Sequence, residues 1–141
     1  MAEGFRFSHR LKVRYSEIDG QKIVFNAHYL TYLDVAVTEY FSEGLGMDVD
    51  SLAEKGEFDF VVAKTTMEYK SPAKLNDWLE IWCRTSRIGN SSIAMEFLIT
   101  REGEKPLLQA EIIYVSINPA THEPQPVPAF VREKIQLFEK E

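Results

Sequence analysis

The chain has 141 residues, a formal charge of -6, 45% hydrophobic and 27% charged residues, the size of one domain that buries about two-thirds of its unfolded surface. This composition excludes a disordered or fibrous chain, and an acidic balance without a long basic run argues against broad nucleic-acid binding, whose affinity rests on phosphate neutralisation. No apolar run approaches the roughly 20 residues that span a bilayer, and the start, Met1-Ala2-Glu3-Gly4-Phe5-Arg6, lacks the apolar stretch of a signal peptide, so a cytoplasmic location is expected.

Residues 5–15 predict a strand: Phe7, His9, Leu11, Val13 and Tyr15 alternate with Ser8, Arg10, Lys12 and Arg14, the period of two of a half-buried sheet. The period then changes. Leu30, Leu33, Val37, Tyr40, Phe41 and Leu45 recur at three- and four-residue spacings without proline, which predicts a long buried helix over 27–45, with Asn26 as N-cap and Gly44 or Gly46 as its stop. A short helical turn over 48–56 precedes a Val-, Thr- and aromatic-rich strand over 58–70, which Ser71-Pro72-Ala73 breaks. Strands follow over 78–87, 92–101 and 107–118, joined by Gly89-Asn90-Ser91 and Glu102-Gly103-Glu104 in an antiparallel meander. The four prolines within 119–128 mark a loop, and 129–140 reads as an amphipathic helix on Phe130, Val131, Ile135 and Phe138.

The sum is an α+β domain spanning 1–141, a long helix packed on a mostly antiparallel five-stranded sheet. One helix covers one face only, so the other face and the edge strands call for a second subunit, and a homodimer or homotetramer is expected. Cys83 is the only cysteine, which rules out an intramolecular disulfide and leaves packing as its expected role. No metal ligand set or organic cofactor is suggested.

Residues 14–29 lie between the first strand and the long helix. Orphan N–H groups and the dipole at a helix start stabilise developing negative charge, and Asp19 just upstream offers a carboxylate able to activate water or to attack a carbonyl. Asp19-Gly20 is equally a strong turn signal, and two residues earlier Glu17 reads as a solvated carboxylate or as a group sharing the site of Asp19.

The run Arg14-Tyr15-Ser16-Glu17-Ile18-Asp19, followed by Ile23-Val24-Phe25-Asn26-Ala27-His28-Tyr29, resembles the signature of the 4-hydroxybenzoyl-CoA thioesterase group of hotdog proteins, which includes the Tol-Pal-associated acyl-CoA thioesterases. Glu68-Tyr69-Lys70-Ser71-Pro72-Ala73 and Asn118-Pro119-Ala120-Thr121 resemble later parts of the same pattern. The resemblance implies a single hotdog domain acting on a short-chain or aromatic acyl-CoA, with CoA present only as part of the substrate. It implies Asp19 as nucleophile or general base, a backbone N–H of Asn26 or Ala27 as oxyanion donor, Tyr15 near the reacting groups or in the core, and a site at a subunit interface.

Three positions depart from that pattern. Lys22 stands where many relatives have Gly, so the loop is expected to take another path or to offer a cation to the ligand. Asn26 stands where Tol-Pal-type relatives often have His, a gap that His28 is placed to fill. Val37 or Thr38 stands where relatives often place Arg. Candidate contacts to the CoA portion are Lys22, Lys64, Lys70, Lys74, Arg84 and Arg87, with Asn90 and Ser91 as turn donors; Phe25, Tyr29, Tyr32, Phe60 and Val62 are candidates for an acyl pocket or for plain core. Asp34, Glu39, Glu68 and Asp77 read as surface carboxylates. The alternatives are a hotdog dehydratase using His28 and a non-catalytic acyl-CoA-binding oligomer.

Overall fold

A computed structural model describes residues 3–101 and 105–140; the expected turn Glu102-Gly103-Glu104 lies outside the described residues, as do Met1 and Ala2. The elements run β1 (Phe7–Lys12), α1 (Asn26–Glu39), α2 (Val49–Glu54), β2 (Asp59–Tyr69), β3 (Trp78–Ile88), β4 (Ser92–Arg101), β5 (Pro106–Ile117) and α3 (Ala129–Lys140). The strands form one sheet in the order β1-β3-β4-β5-β2, every neighbouring pair antiparallel, as the short turns between β3, β4 and β5 require.

One face of the sheet carries the core. Leu79, Ile81 and Cys83 of β3 stand opposite Arg101, Ile99 and Phe97 of β4, and Leu108 and Ile112 of β5 continue the layer; except for Arg101, these side chains are buried. Tyr29, Tyr32, Leu33, Ala36 and Val37 of α1 are buried against it, and each large apolar side chain withdrawn from water contributes about 1.5–3 kcal/mol. Cys83 is fully buried, and burial pushes its thiol well above the usual range, which fits packing rather than nucleophilic attack.

Several expectations shift at element ends. β1 stops at Lys12, because the backbone enters a single 3-10 turn at Tyr15–Glu17 that breaks the period of two. Tyr15 is therefore 81% exposed instead of buried. The long helix divides: α1 ends at Glu39 and continues as one wider turn, Tyr40–Gly44, in which the Leu45 N–H reaches the Tyr40 carbonyl at 2.9 Å. It stops at Gly46, whose φ of 70° lies in the left-handed region that glycine enters without steric cost. Leu30, expected on the buried face, is exposed, as is Phe130 of α3.

The second long helix, α3, buries Val131 and Ile135 and sets Phe138 edge-on to Tyr40, ring centres 5.6 Å apart. The Glu139 carboxylate accepts from the Thr85 N–H at 2.9 Å and from the Tyr40 hydroxyl. Both long helices thus cover the same face. The opposite face stays open, and so does the β2 edge, where a bulge between Val62 and Lys64 shifts the register against β5 and Val61, Val62 and Tyr69 are about half exposed.

Candidate functional site

After β1 the chain doubles back as a narrow hairpin that ends in α1. Its base is the Phe25 N–H on the Glu17 carbonyl at 2.9 Å, its middle the pairing of Ile18 with Val24, and its far end the Asp19 N–H on the Ile23 carbonyl at 2.9 Å. The Lys22 N–H on the Asp19 carbonyl, 2.9 Å, closes the turn. The returning limb is fastened to the loop before β3 by the Val24 N–H on the Ala73 carbonyl, 2.9 Å, and by the pairing of Ile23 with Lys74. Asp19 and the first turn of α1 therefore belong to one short, braced unit.

The Asp19 Oδ1 accepts the Gln21 N–H at 2.8 Å, the local bond by which Asp supports a turn. The structure thus bears out the turn reading of Asp19-Gly20. Lys22 takes φ 65°, a left-handed conformation that costs a non-glycine residue about 1–2 kcal/mol. The loop so adopts a backbone that glycine favours at the position where the resembling family often has glycine, at a steric cost instead of by another path.

At the helix start Phe25, with φ -67° and ψ 137°, is the N-cap and gives no side-chain capping bond; Asn26 is already helical. The expected Asn26 cap is therefore corrected by one residue, because Phe25 is held extended by its bond to Glu17. The Asn26 and Ala27 amides precede the first turn-closing bond, His28 N–H on the Phe25 carbonyl at 2.9 Å, and both residues are exposed. This is the place where a helix carries orphan donors and the positive end of its dipole. His28 is half-buried, its ring centre 6.2 Å from that of Phe25, which is itself 52% exposed.

Glu17 is not solvated, contrary to the sequence reading: it is 5% exposed. Its Oε1 accepts the Arg14 N–H at 2.9 Å and the Tyr32 hydroxyl at 2.8 Å, while its Oε2 accepts Arg14 Nε at 2.8 Å and a second, short contact from the same guanidinium. Burial pushes the Glu17 carboxyl up, and the donors from Arg14 and Tyr32 outweigh it, so it titrates below the ordinary glutamate range. Burial and the bond to Glu17 push the Tyr32 phenol up. The i to i+3 spacing of Arg14 and Glu17 was a readable signal for the ion pair; the Tyr32 contact, fifteen residues on, was not.

The remaining candidates separate. Tyr29 is buried, its hydroxyl accepting the Ala73 N–H at 3.1 Å and its ring 5.6 Å from that of Tyr69; it is core at the edge of the site. Tyr32 is core as well, Phe60 is half-buried among Phe41, Phe58 and Tyr114, and Val62 is exposed on the edge strand. Lys70 follows Tyr69 at the same end of the sheet and pairs with Glu68 at 3.1 Å, whereas Lys64 stands exposed in mid-strand and Lys74 is exposed in the loop before β3. Arg84 pairs with Glu96 and covers the Phe5 ring at 4.6 Å. Asp77 is not a solvated carboxylate, since it receives Arg101 Nε at 2.9 Å and the Lys74 N–H at 2.8 Å. Asp34 is exposed, and partial burial pushes its carboxyl up.

Arg87, Asn90 and Ser91 lie at the β3–β4 turn, while the hairpin of Asp19 is fastened near residues 73–77, ahead of β3. Eleven residues of β3 separate these ends, about 33 Å at the rise of a strand. Within one chain these three residues do not join Asp19.

A family model described as the thioesterase superfamily matches residues 21–107. The acyl-CoA thioester hydrolase YbgC of Escherichia coli is 29% identical over 84% of this chain and 87% of its own, and the acyl-CoA thioesterase YbgC of Haemophilus influenzae 30% identical over 67% and 69%. Among solved structures, a thioesterase from Thermus thermophilus complexed with coenzyme A and Zn is 32% identical, covers 99% of each chain and superposes with a TM-score of 0.84. The probable thioesterase YbaW of Escherichia coli is 27% identical with a TM-score of 0.79, covering 94% of this chain and 98% of its own. Among the described residues of the present chain, no three His, Cys, Asp or Glu side chains are grouped to hold a metal ion.

Proposed function

The chain belongs to the thioesterase superfamily and has its hotdog arrangement, a five-stranded sheet with the long helix α1 packed on it, and on that premise we propose that it hydrolyses acyl-CoA thioesters with Asp19 as the reacting carboxylate. The observation that carries this reading is the hairpin itself, which seats the Asp19 carboxylate at its tip and the first amides of α1 at its foot. A thioester carbonyl drawn to the foot would set its oxygen against the Asn26 or Ala27 N–H, where charge developing in the tetrahedral intermediate is met by a fixed donor and the helix dipole. Such a donor is worth about 10²–10³ in rate.

Asp19 then acts in one of two ways. As a nucleophile, its oxygen adds to the carbonyl carbon and the C–S bond breaks, giving a mixed anhydride and CoA thiolate; water hydrolyses the anhydride to free acid and restores the carboxylate. As a general base, it removes a proton from water, whose oxygen adds to the carbonyl, and the proton passes to the departing sulfur. Both routes consume one water and release acid and thiol.

We place the complete site between two copies. The exposed β2 edge, with Val61, Val62 and Tyr69, is the surface a second copy would cover, and an antiparallel, isologous pairing of two such edges would bring the β3–β4 turn of one copy toward the Asp19 end of the other. Arg87, Asn90 and Ser91 would then supply the cation and donors that CoA phosphates need, alongside Lys22 and Lys70. The acyl pocket would form from Phe25, the rim of Tyr29 and residues of the covered edge; the short-chain or aromatic acyl group is what the resemblance to the 4-hydroxybenzoyl-CoA thioesterase group implies.

The experiment is thiol release from a panel of acetyl- through palmitoyl-CoA plus benzoyl- and phenylacetyl-CoA, for the natural protein and Asp19→Asn. Release that falls by at least about 10³ in the variant, with an unchanged Tm, is the expected result; equal rates in the two proteins would sink the assignment.

A further inference from the structure

The Glu17 side chain does nothing in the chemistry above, yet it is a buried carboxylate that gathers three donors from Arg14 and one from Tyr32. Its backbone carbonyl accepts the Phe25 N–H, the bond that holds the N-cap of α1 extended. One residue therefore touches three parts of the molecule: the 3-10 turn through Arg14, the helix foot through Phe25, and the second turn of α1 through Tyr32. Asp19 is two residues from this anchor along one limb of the hairpin, and Asn26 follows Phe25 directly along the other.

We infer that Glu17, clamped by Arg14 and Tyr32, is a positioning residue that sets the distance between the Asp19 carboxylate and the first amides of α1. The inference rests on the reading of Asp19 and the helix foot as the two halves of the reacting site. Charge-assisted hydrogen bonds are short and directional, and a buried network with all members satisfied fixes a single geometry. The tip is tied by backbone bonds, the Lys22 N–H on the Asp19 carbonyl at 2.9 Å and the Leu75 N–H on the Lys22 carbonyl at 3.4 Å, and Gly20, Gln21 and Lys22 are exposed; the buried side-chain anchor of the hairpin is at its base, and it is from there that we take the placement of Asp19 relative to α1 to be set. A displacement of about 1 Å between reacting groups costs on the order of 10² in rate, so loosening the base is expected to act on turnover more than on binding.

The test uses Tyr32→Phe, which deletes one donor and keeps the ring, and Glu17→Gln, which keeps the shape and removes the charge. Each variant is assayed for thiol release at a temperature where its circular dichroism matches that of the natural protein, and amide exchange is followed by NMR. Positioning predicts that kcat falls about 10- to 100-fold in Glu17→Gln and about 3- to 10-fold in Tyr32→Phe, with KM within about threefold. It also predicts that the Phe25 and Asp19 amides lose protection while Ile81 and Ile99 keep theirs. Glu17→Asp, which retains the charge on a shorter stem, is expected to recover more kcat than Glu17→Gln. A kcat within twofold of the natural protein in folded Tyr32→Phe, or a loss confined to KM, would overturn the inference. If the natural protein releases no thiol from any substrate, the thioesterase reading fails on its own, and the exchange data still decide the clamp: unchanged protection at Phe25 and Asp19 in the variants would contradict it.

Discussion

The two ends of the hairpin between β1 and α1 are built on opposite principles. At the base, Glu17 is buried, its carboxylate saturated with donors and its neighbours drawn from three elements. At the tip, Gly20, Gln21 and Lys22 are exposed, the bonds are made to backbone N–H groups, one of them from Leu75 to the Lys22 carbonyl, and Lys22 occupies a left-handed backbone that its side chain disfavours. On the proposed reading, reactive groups need access and the scaffold needs fixity, and Asp19 lies two residues along the chain from the Glu17 anchor.

The contrast is broken most forcefully at the base. Glu17→Ala removes a buried, hydrogen-bonded carboxylate and leaves the Tyr32 hydroxyl without its acceptor, which is expected to cost about 2–4 kcal/mol; thermal melting should show a Tm lower by roughly 6–12 °C for a chain of this length. Tyr32→Phe is milder, about 1–2 kcal/mol, read the same way.

Acid sharpens the comparison next. The folded-state value of Glu17 lies below its unfolded one, so the clamp contributes fully above the unfolded glutamate value of about 4.3 and its contribution is lost as pH falls through the lower, folded value. The Tm gap between the natural protein and Glu17→Gln is therefore expected to be constant near neutrality and to shrink below about pH 4; a gap that widens on acidification would contradict the clamp.

The smallest effects belong to the tip. Lys22→Gly relieves the left-handed strain and is expected to stabilise the fold by about 0.5–1 kcal/mol. Gly20→Ala, with nothing within 4 Å of an added Cβ, should change Tm by less than the equivalent of about 0.5 kcal/mol.

Much of the fold was legible because period and punctuation agree. β2, β3, β4, β5 and α3 fall within a residue or two of the expected ranges, since alternating apolar side chains and Gly-, Asn- or Pro-bearing turns decide both strand and boundary. Of the candidate site only the local placement was legible: that Asp19 stands beside the helix start is a matter of spacing along one segment. Tyr15 departs from the alternation because a 3-10 turn resets it, and the cap falls on Phe25 instead of Asn26 because a cross-hairpin bond to Glu17, invisible as spacing, holds Phe25 extended. Glu17 reads as solvated until Tyr32 folds back onto it. Arg87, Asn90 and Ser91 could not be joined to Asp19 by sequence, nor does one chain join them, because the length of β3 intervenes.

The most direct measurement is a paired one on Asp19→Asn: affinity for an acyl-CoA by isothermal calorimetry, and the rate of thiol release from the same compound. Binding within about threefold of the natural protein, together with turnover reduced by about 10³ or more, is the predicted result and would place the chemistry, rather than the binding, on this carboxylate. Turnover within tenfold of the natural protein in a variant that still binds would contradict it.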